Sequence, residues 1–217
     1  MTLLVNNLFQ SVQGEGPFIG YPMIFIRLSG CNLRCVWCDS KLAWTEGTEM
    51  TVEEIIGKIK EYPCKNICLT GGESLLQQQS LIKLVEELGG EYTFHLETNG
   101  TIEPIDPVKI GYHIVSPKLK SSGNENAELA PYYKNEVCGY FKFVISNEAD
   151  LEETQEFLEK NKIHEWNKIY LMPEGVTIER QLEILPKLIS FVKSHPERKY
   201  IVTPRLHILV YGNKRGV

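Results

Sequence analysis

Apolar runs of strand length recur along the chain, and amphipathic helical stretches separate most of them. Few folds accept that alternation. The strand-like runs are residues 22–29, 66–70, 92–97, 112–116, 140–146, 168–172 and 200–203. Helical spacing marks residues 51–61, 77–88, 151–160 and 178–193. In the first helix Val52, Ile55, Ile56 and Ile59 share a face, and Thr51 with Glu54 forms a capping box. Gly89-Gly90 closes the second. Strands separated by helices pair in parallel through right-handed crossovers. Two connections are short of helix: 98–111 holds two prolines, and 117–139 is polar around Ser121-Ser122-Gly123-Asn124. The pattern predicts an α/β fold of the incomplete, TIM-like barrel type rather than a closed eightfold barrel.

In such folds ligands gather at the carboxyl ends of the strands. Here those ends read Cys31, Thr70-Gly71-Gly72-Glu73, Glu97-Thr98-Asn99-Gly100, Ser116-Pro117-Lys118 and Met172-Pro173-Glu174. Each alone is ordinary turn chemistry; their recurrence on one face points to a polar ligand site. The first end is the most telling, because Cys31, Cys35 and Cys38 follow it with the spacing C-x3-C-x2-C. Three thiols this close cannot all pair in disulfides, so metal or cluster chemistry follows. A structural zinc site more often shows two separated C-x2-C pairs, and no second pair with that spacing exists. Cys68 lies in the apolar run Ile67-Cys68-Leu69 and reads as a small buried hydrophobe. Cys64 and Cys138 have no assigned role. A 4Fe–4S cluster on three thiolates leaves one iron open to bind a substrate or cofactor.

Three stretches flank the thiols: Phe9-Gln10-Ser11-Val12-Gln13-Gly14-Glu15-Gly16, Arg27-Leu28-Ser29-Gly30-Cys31-Asn32-Leu33 and Thr70-Gly71-Gly72-Glu73. The cysteine motif resembles that of the radical S-adenosylmethionine (SAM) superfamily. Together with the Gln-Gly-Glu-Gly stretch it resembles the 7-carboxy-7-deazaguanine synthase family, over most of the chain. The resemblance implies a partial barrel of about six βα units, a [4Fe-4S] cluster on Cys31, Cys35 and Cys38, and SAM on the open iron. Cluster and SAM would yield a 5′-deoxyadenosyl radical. The radical would drive ring contraction of 6-carboxy-5,6,7,8-tetrahydropterin to 7-carboxy-7-deazaguanine, with loss of ammonia and regeneration of SAM. Contacts to SAM are expected from Trp37, Cys38, Asp39, Gly72, Ser116, Pro117, Lys118, Met172, Pro173 and Glu174. Met172 stands where relatives often carry Gln. The resemblance also implies a Mg²⁺ ion on the Ser40 hydroxyl, a flavodoxin-like electron donor and a homodimer.

Arg27 requires a partner. Alternation along 22–29 puts Ile24, Ile26 and Leu28 on one face and Met23, Phe25 and Arg27 on the other, so the strand is buried on both. A buried guanidinium needs an anion, either a protein carboxylate or one carried by a ligand. The resemblance favours the substrate's carboxylate, held bidentately. It assigns the pterin edge to Val12, Gln13, Gly14 and Glu15, with Thr70 as a further contact. His95 and His113, on strands, read as packed side chains. Arg205-Leu206-His207 and the tail Lys214-Arg215-Gly216-Val217 are candidates to close the pocket.

At 217 residues the chain is expected to form one domain, 1–217. A net charge of −5 argues against a broad nucleic-acid or anionic-membrane surface. No window approaches the roughly 18 apolar residues of a membrane span, and the first residues lack a signal-peptide pattern. Six cysteines without that pattern imply a reducing, cytoplasmic setting. Two rivals remain: an activase placing a glycyl radical on a partner enzyme, and a non-catalytic zinc or iron–sulfur module.

Overall fold

The computed structural model describes residues 1–134 and 139–217; Cys138 lies outside them. A nine-stranded sheet runs in the order β3-β1-β2-β4-β5-β6-β7-β8-β9 and does not close. Its parallel body is β2 (Pro22–Leu28), β4 (Asn66–Gly71), β5 (Thr93–Thr98), β6 (Tyr112–Val115), β7 (Tyr140–Ile145), β8 (Lys168–Pro173) and β9 (Ile201–Val202). Two antiparallel strands extend one edge: β1 (Thr2–Val12), paired with β2, and β3 (Thr48–Thr51), paired with β1. Neither is legible as a strand from its sequence. β1 carries Asn6-Asn7 and Gln10-Ser11 in its middle, and its register slips between Val5 and Asn7. β3 is only four residues long.

The helices α1 (Val52–Ile59), α2 (Gln78–Leu88), α4 (Glu148–Lys160) and α5 (Ile178–Ser194) cover the outer face of the sheet. The Thr51–Glu54 capping box forms in both directions: Glu54 N donates to Thr51 Oγ1 at 3.2 Å and Thr51 N donates to Glu54 Oε2 at 2.8 Å. Gly89 ends α2 with a φ of 61°, a region that favours glycine. The two connections expected to be short of helix carry only single turns among the described residues. Residues 98–111 hold a 3-10 turn, and the described part of 117–139 holds a second 3-10 turn and the one-turn α3 (Pro131–Lys134).

β2 is buried on both faces. Ile24, Ile26 and Leu28 join the core between sheet and helices, with Ile55, Ile59, Leu81, Leu84, Ile184 and Leu188. Met23 and Phe25 face the barrel interior, where they meet Cys68, Phe9 and Phe18. That interior is layered. Phe25, Cys68, His95 and Tyr112 stand side by side in register across β2, β4, β5 and β6. Phe18, on the 3-10 turn Gly16–Phe18, packs its ring 4.3 Å from His95, 5.1 Å from Tyr112 and 5.5 Å from Tyr140. These rings floor the barrel. One pleat repeat further along, the inward positions become Arg27, Thr70, Glu97 and Lys142. The sheet therefore presents an apolar base and a polar mouth at its carboxyl edge.

Candidate functional site

A cavity of about 710 Å³ opens at that edge. Its wall includes Cys31, Cys35 and Cys38, and also Val12, Gln13, Gly14, Glu15, Arg27, Ser40 and Thr70. Trp37, Asp39, Gly72, Ser116, Lys118, Met172 and Glu174 line it too. Pro117 and Pro173 are not among the lining residues; each is buried behind its neighbours. The hairpin from β1, the thiol loop after β2 and four further strand ends thus converge on one space.

The thiol loop is held from outside by the connection after β6. Val36 N donates to Ser122 O at 2.9 Å, and Arg34 N donates to Asn124 Oδ1 at 3.0 Å. The amide of Asn124 also donates to Cys35 Sγ at 3.2 Å, while Leu33 N donates to Cys31 Sγ at 3.4 Å. All three thiols are free. Burial pushes those of Cys31 and Cys35 up, against the pull of the Lys118 ammonium on both. Cys31 and Cys35 thus have N–H donors and a cation nearby, partners that would favour thiolates binding iron. Gly72 explains how β4 reaches this loop. A Cβ there would sit 2.1 Å from Gly30 O and 2.9 Å from Cys31 Cβ. The glycine backbone lies directly against the first cysteine and leaves the far side open to a ligand.

Glu73 ends the same motif and is turned inward. Its carboxylate accepts from Leu75 N at 3.0 Å, Thr98 Oγ1 at 2.8 Å and Asn99 N at 2.7 Å. Asn99 Nδ2 donates on to Asn32 Oδ1 at 2.9 Å. Glu73 therefore ties the loops after β4 and β5 to the thiol loop. Lys118 Nζ donates to Ser116 Oγ at 2.8 Å. Glu174 commits its carboxylate to Arg180 Nε at 3.1 Å and its backbone N–H to Ile145 O at 2.9 Å.

A second constellation lines the same cavity. Lys142 Nζ lies 2.8 Å from Glu15 Oε2 and 2.7 Å from Glu97 Oε2. Arg205 Nε lies 2.8 Å from Glu15 Oε1; the same guanidinium also pairs with Asp39 and donates to Gly175 O at 2.9 Å. Arg205 joins the thiol loop, the β1–β2 hairpin and the end of β8, just before the short helix α6 (Leu206–Tyr211). Burial raises Glu15, but Lys142 and Arg205 overcome it and hold the carboxyl well below its ordinary value. In Glu97 burial wins over Lys142 and the carboxyl is raised. His207 Nε2 stands 3.9 Å from Glu15 Oε1, and burial lowers its pKa. Glu15, Asp39 and His207 are close enough to share a cation. Two of the three already face Arg205, so their charge is met by protein.

Arg27 is different. Its NH1 donates to Ser40 Oγ at 2.8 Å, and no ion pair reaches it among the described residues. Ser40 Oγ donates in turn to Asp39 Oδ1 at 2.9 Å. Of the two partners considered for Arg27, a protein carboxylate does not pair with it among the described residues. The strand histidines are packed away from the cavity. His95, sandwiched by Phe18 and Tyr112, is lowered by burial to about 4. His113 bonds Tyr133 Oη at 3.0 Å and Pro107 O at 3.1 Å.

Glu97, Lys142 and Asn124 received no role from the sequence. A signal existed for two of them. Lys142 interrupts the apolar run Phe141-Lys142-Phe143, and Glu97 ends His95-Leu96-Glu97 on the same inward phase as His95. A buried charge in one strand calls for its opposite in another. Asn124 has no such signature, because a polar turn looks the same whether or not it meets a thiol.

Comparisons with known proteins agree with this geometry. Residues 25–185 match the model of the radical SAM superfamily. A 7-carboxy-7-deazaguanine synthase from Pyrobaculum aerophilum is 36% identical, over 98% of this chain and 96% of its own. The synthase from Thermoplasma acidophilum is 30% identical over 99% and 100%. The crystal structure of QueE from Escherichia coli superposes with a TM-score of 0.74 at 26% identity, covering 95% of each chain.

Proposed function

The chain belongs to the 7-carboxy-7-deazaguanine synthase family of the radical SAM superfamily, and on that premise we propose that it converts 6-carboxy-5,6,7,8-tetrahydropterin to 7-carboxy-7-deazaguanine with release of ammonia. One observation carries the reading: a single cavity joins a three-thiol loop to a guanidinium without an ion pair among the described residues and a carboxylate pair bridged by Lys142. Cys31, Cys35 and Cys38 hold the [4Fe-4S] cluster, which with bound SAM supplies a hydrogen-abstracting radical. Gly72, Trp37, Asp39, Ser116 and Lys118 line the space that SAM would occupy, and Pro117 would shape the backbone behind them. From the β8 end Met172 lends an apolar surface, while Pro173 and Glu174 shape the backbone.

Arg27 takes the substrate carboxylate. Gln13, Gly14 and Glu15 read the ring edge, with Val12 and Thr70 closing on its sides. Gly14 has no Cβ because His207 Nδ1 would lie 2.2 Å from it, so α6 caps the hairpin directly. Were Arg27 to turn toward a substrate carboxylate, Ser40 Oγ would lose that donor and could serve as a ligand for Mg²⁺. The chain acts as one domain, 1–217, and as a cytoplasmic homodimer fed by a flavodoxin-like donor. No helix among the described residues is long and apolar enough to cross a membrane.

Anaerobic reconstitution, then reaction with dithionite, SAM and the carboxypterin, tests the proposal by mass spectrometry. A product with the mass of 7-carboxy-7-deazaguanine that is lost in Cys35→Ala is expected. SAM cleavage without that product, together with a co-purifying glycyl-radical enzyme, would favour the activase instead.

A further inference from the structure

We propose that Lys142 is a specificity-determining positioning residue: its ammonium, shared between Glu15 and Glu97, fixes both carboxylates as acceptors for a substrate edge rich in N–H donors. The inference rests on the pterin reading above and deepens it. Lys142 projects from the middle of β7 into the barrel and is 5% exposed. It bridges the β1–β2 hairpin and the end of β5, which no backbone ladder connects.

A buried ammonium with two carboxylates under 3 Å away spends two of its N–H groups there. Glu15 Oε1 accepts from Arg205, and Glu97 Oε1 accepts only a long bond from Gln13 Nε2 at 3.3 Å. A carboxylate oxygen takes two hydrogen bonds, so both groups, held by the Lys142 ammonium, keep acceptor capacity beyond these contacts. Arg27, which lines the same cavity from β2, donates to the Ser40 hydroxyl and forms no ion pair among the described residues. The cavity therefore sorts ligands by pattern, offering carboxylate acceptors to N–H donors and a guanidinium to a carboxylate. A 2-amino-4-oxo ring carrying a carboxylate has that pattern.

Without Lys142 the two carboxylates would face each other in a buried site. One of them would bind a proton. A protonated carboxyl presents a donor to a donor edge, and recognition fails until the proton leaves. Other charges reach the pair from every side: Arg205 and His207 from the end of the chain, Arg27 from β2, and Lys118 from the connection after β6. The Cys68 thiol on β4 is held well above its ordinary value by burial and by Glu97, so it stays neutral. None of these groups touches both carboxylates; Lys142 does.

The test compares wild type, Lys142→Met, Lys142→Arg and the charge-balanced double variant Lys142→Met with Glu97→Gln, each as reconstituted holoenzyme. KM and kcat for the carboxypterin are measured from pH 6 to pH 9. Substrate affinity is measured in parallel by calorimetry without reductant. Wild type and Lys142→Arg should show affinity that changes little with pH. Lys142→Met should lose about tenfold or more at pH 6 through KM and regain affinity as pH rises. The double variant should lose the pH response, because only one carboxylate remains. It also keeps the inference testable where Lys142→Met does not fold. A pH-independent loss in Lys142→Met, or a loss confined to kcat, would make Lys142 structural and overturn the inference alone. A wild type that neither binds nor converts the pterin would overturn the reading of the site as well.

Discussion

Arg27→Gln separates a ligand-binding guanidinium from a structural one, because the two predict opposite patterns of stability and affinity. Arg27 donates to Ser40 Oγ at 2.8 Å and forms no ion pair among the described residues. Burial lowers its pKa, so the folded protein bears a desolvation cost to keep it there. Losing one such hydrogen bond costs about 0.5–1.5 kcal/mol, and relief of the buried charge offsets part of it. For a chain of this size about 1 kcal/mol moves Tm by roughly 2–4 °C, so thermal unfolding should shift by less than about 4 °C. Breaking a buried ion pair would instead cost about 3–5 kcal/mol and move Tm by roughly 6–20 °C. Affinity for the carboxypterin should behave the other way. A charge-assisted, bidentate contact is worth about 1.5–3 kcal/mol, a factor of roughly 10 to 150 in KM. Differential scanning fluorimetry and steady-state kinetics on the reconstituted protein measure both. Affinity for SAM should be unchanged. A large fall in Tm with KM intact would refute the assignment and require a protein anion for Arg27.

Other outcomes follow from the same geometry. Gly72→Ala places a methyl against Gly30 O and Cys31 Cβ; strain of about 1–3 kcal/mol should appear as lower Tm and as lost iron per chain after reconstitution. Thr51→Ala removes a closed capping box at α1 and should cost about 1 kcal/mol in urea titration while leaving turnover intact. Arg205→Met unties Asp39 from Glu15 and should raise uncoupled SAM cleavage relative to product, read by chromatography. The Glu15 carboxyl is depressed in the folded state by Lys142 and Arg205 once burial is overcome. Its contribution is therefore complete above the unfolded value of about 4.3 and is lost as pH falls below that toward the folded value. Tm of wild type should drop more steeply than that of Glu15→Gln between about pH 4.5 and pH 3.

The parallel body of the sheet was legible because Ile24, Ile26 and Leu28 on one phase and Met23 and Phe25 on the other announce a strand buried on both faces. The polar strand β1 was not, since Asn6-Asn7 and Gln10-Ser11 mask its pairing partners, which lie in β2 and β3. The thiol loop and the glycine pair after β4 are local in sequence and so could be read directly. The charge network was hidden for the opposite reason. Glu15 and Arg205 stand 190 positions apart and Glu15 and Lys142 127 apart, and nothing local to any of them names its partner. Arg27 was visible as a problem, a charge on a buried strand, but only the structure shows that no carboxylate among the described residues pairs with it.

The central claim is that one cavity brings the SAM-bearing cluster to the pterin carbon beside the carboxylate held by Arg27. The most direct measurement uses carboxypterin deuterated at that carbon, with reconstituted wild-type protein, SAM and reductant. Deuterium in the recovered 5′-deoxyadenosyl group, alongside 7-carboxy-7-deazaguanine, is the predicted result. Product that forms with no deuterium transfer, or SAM cleavage with the pterin untouched, would contradict it.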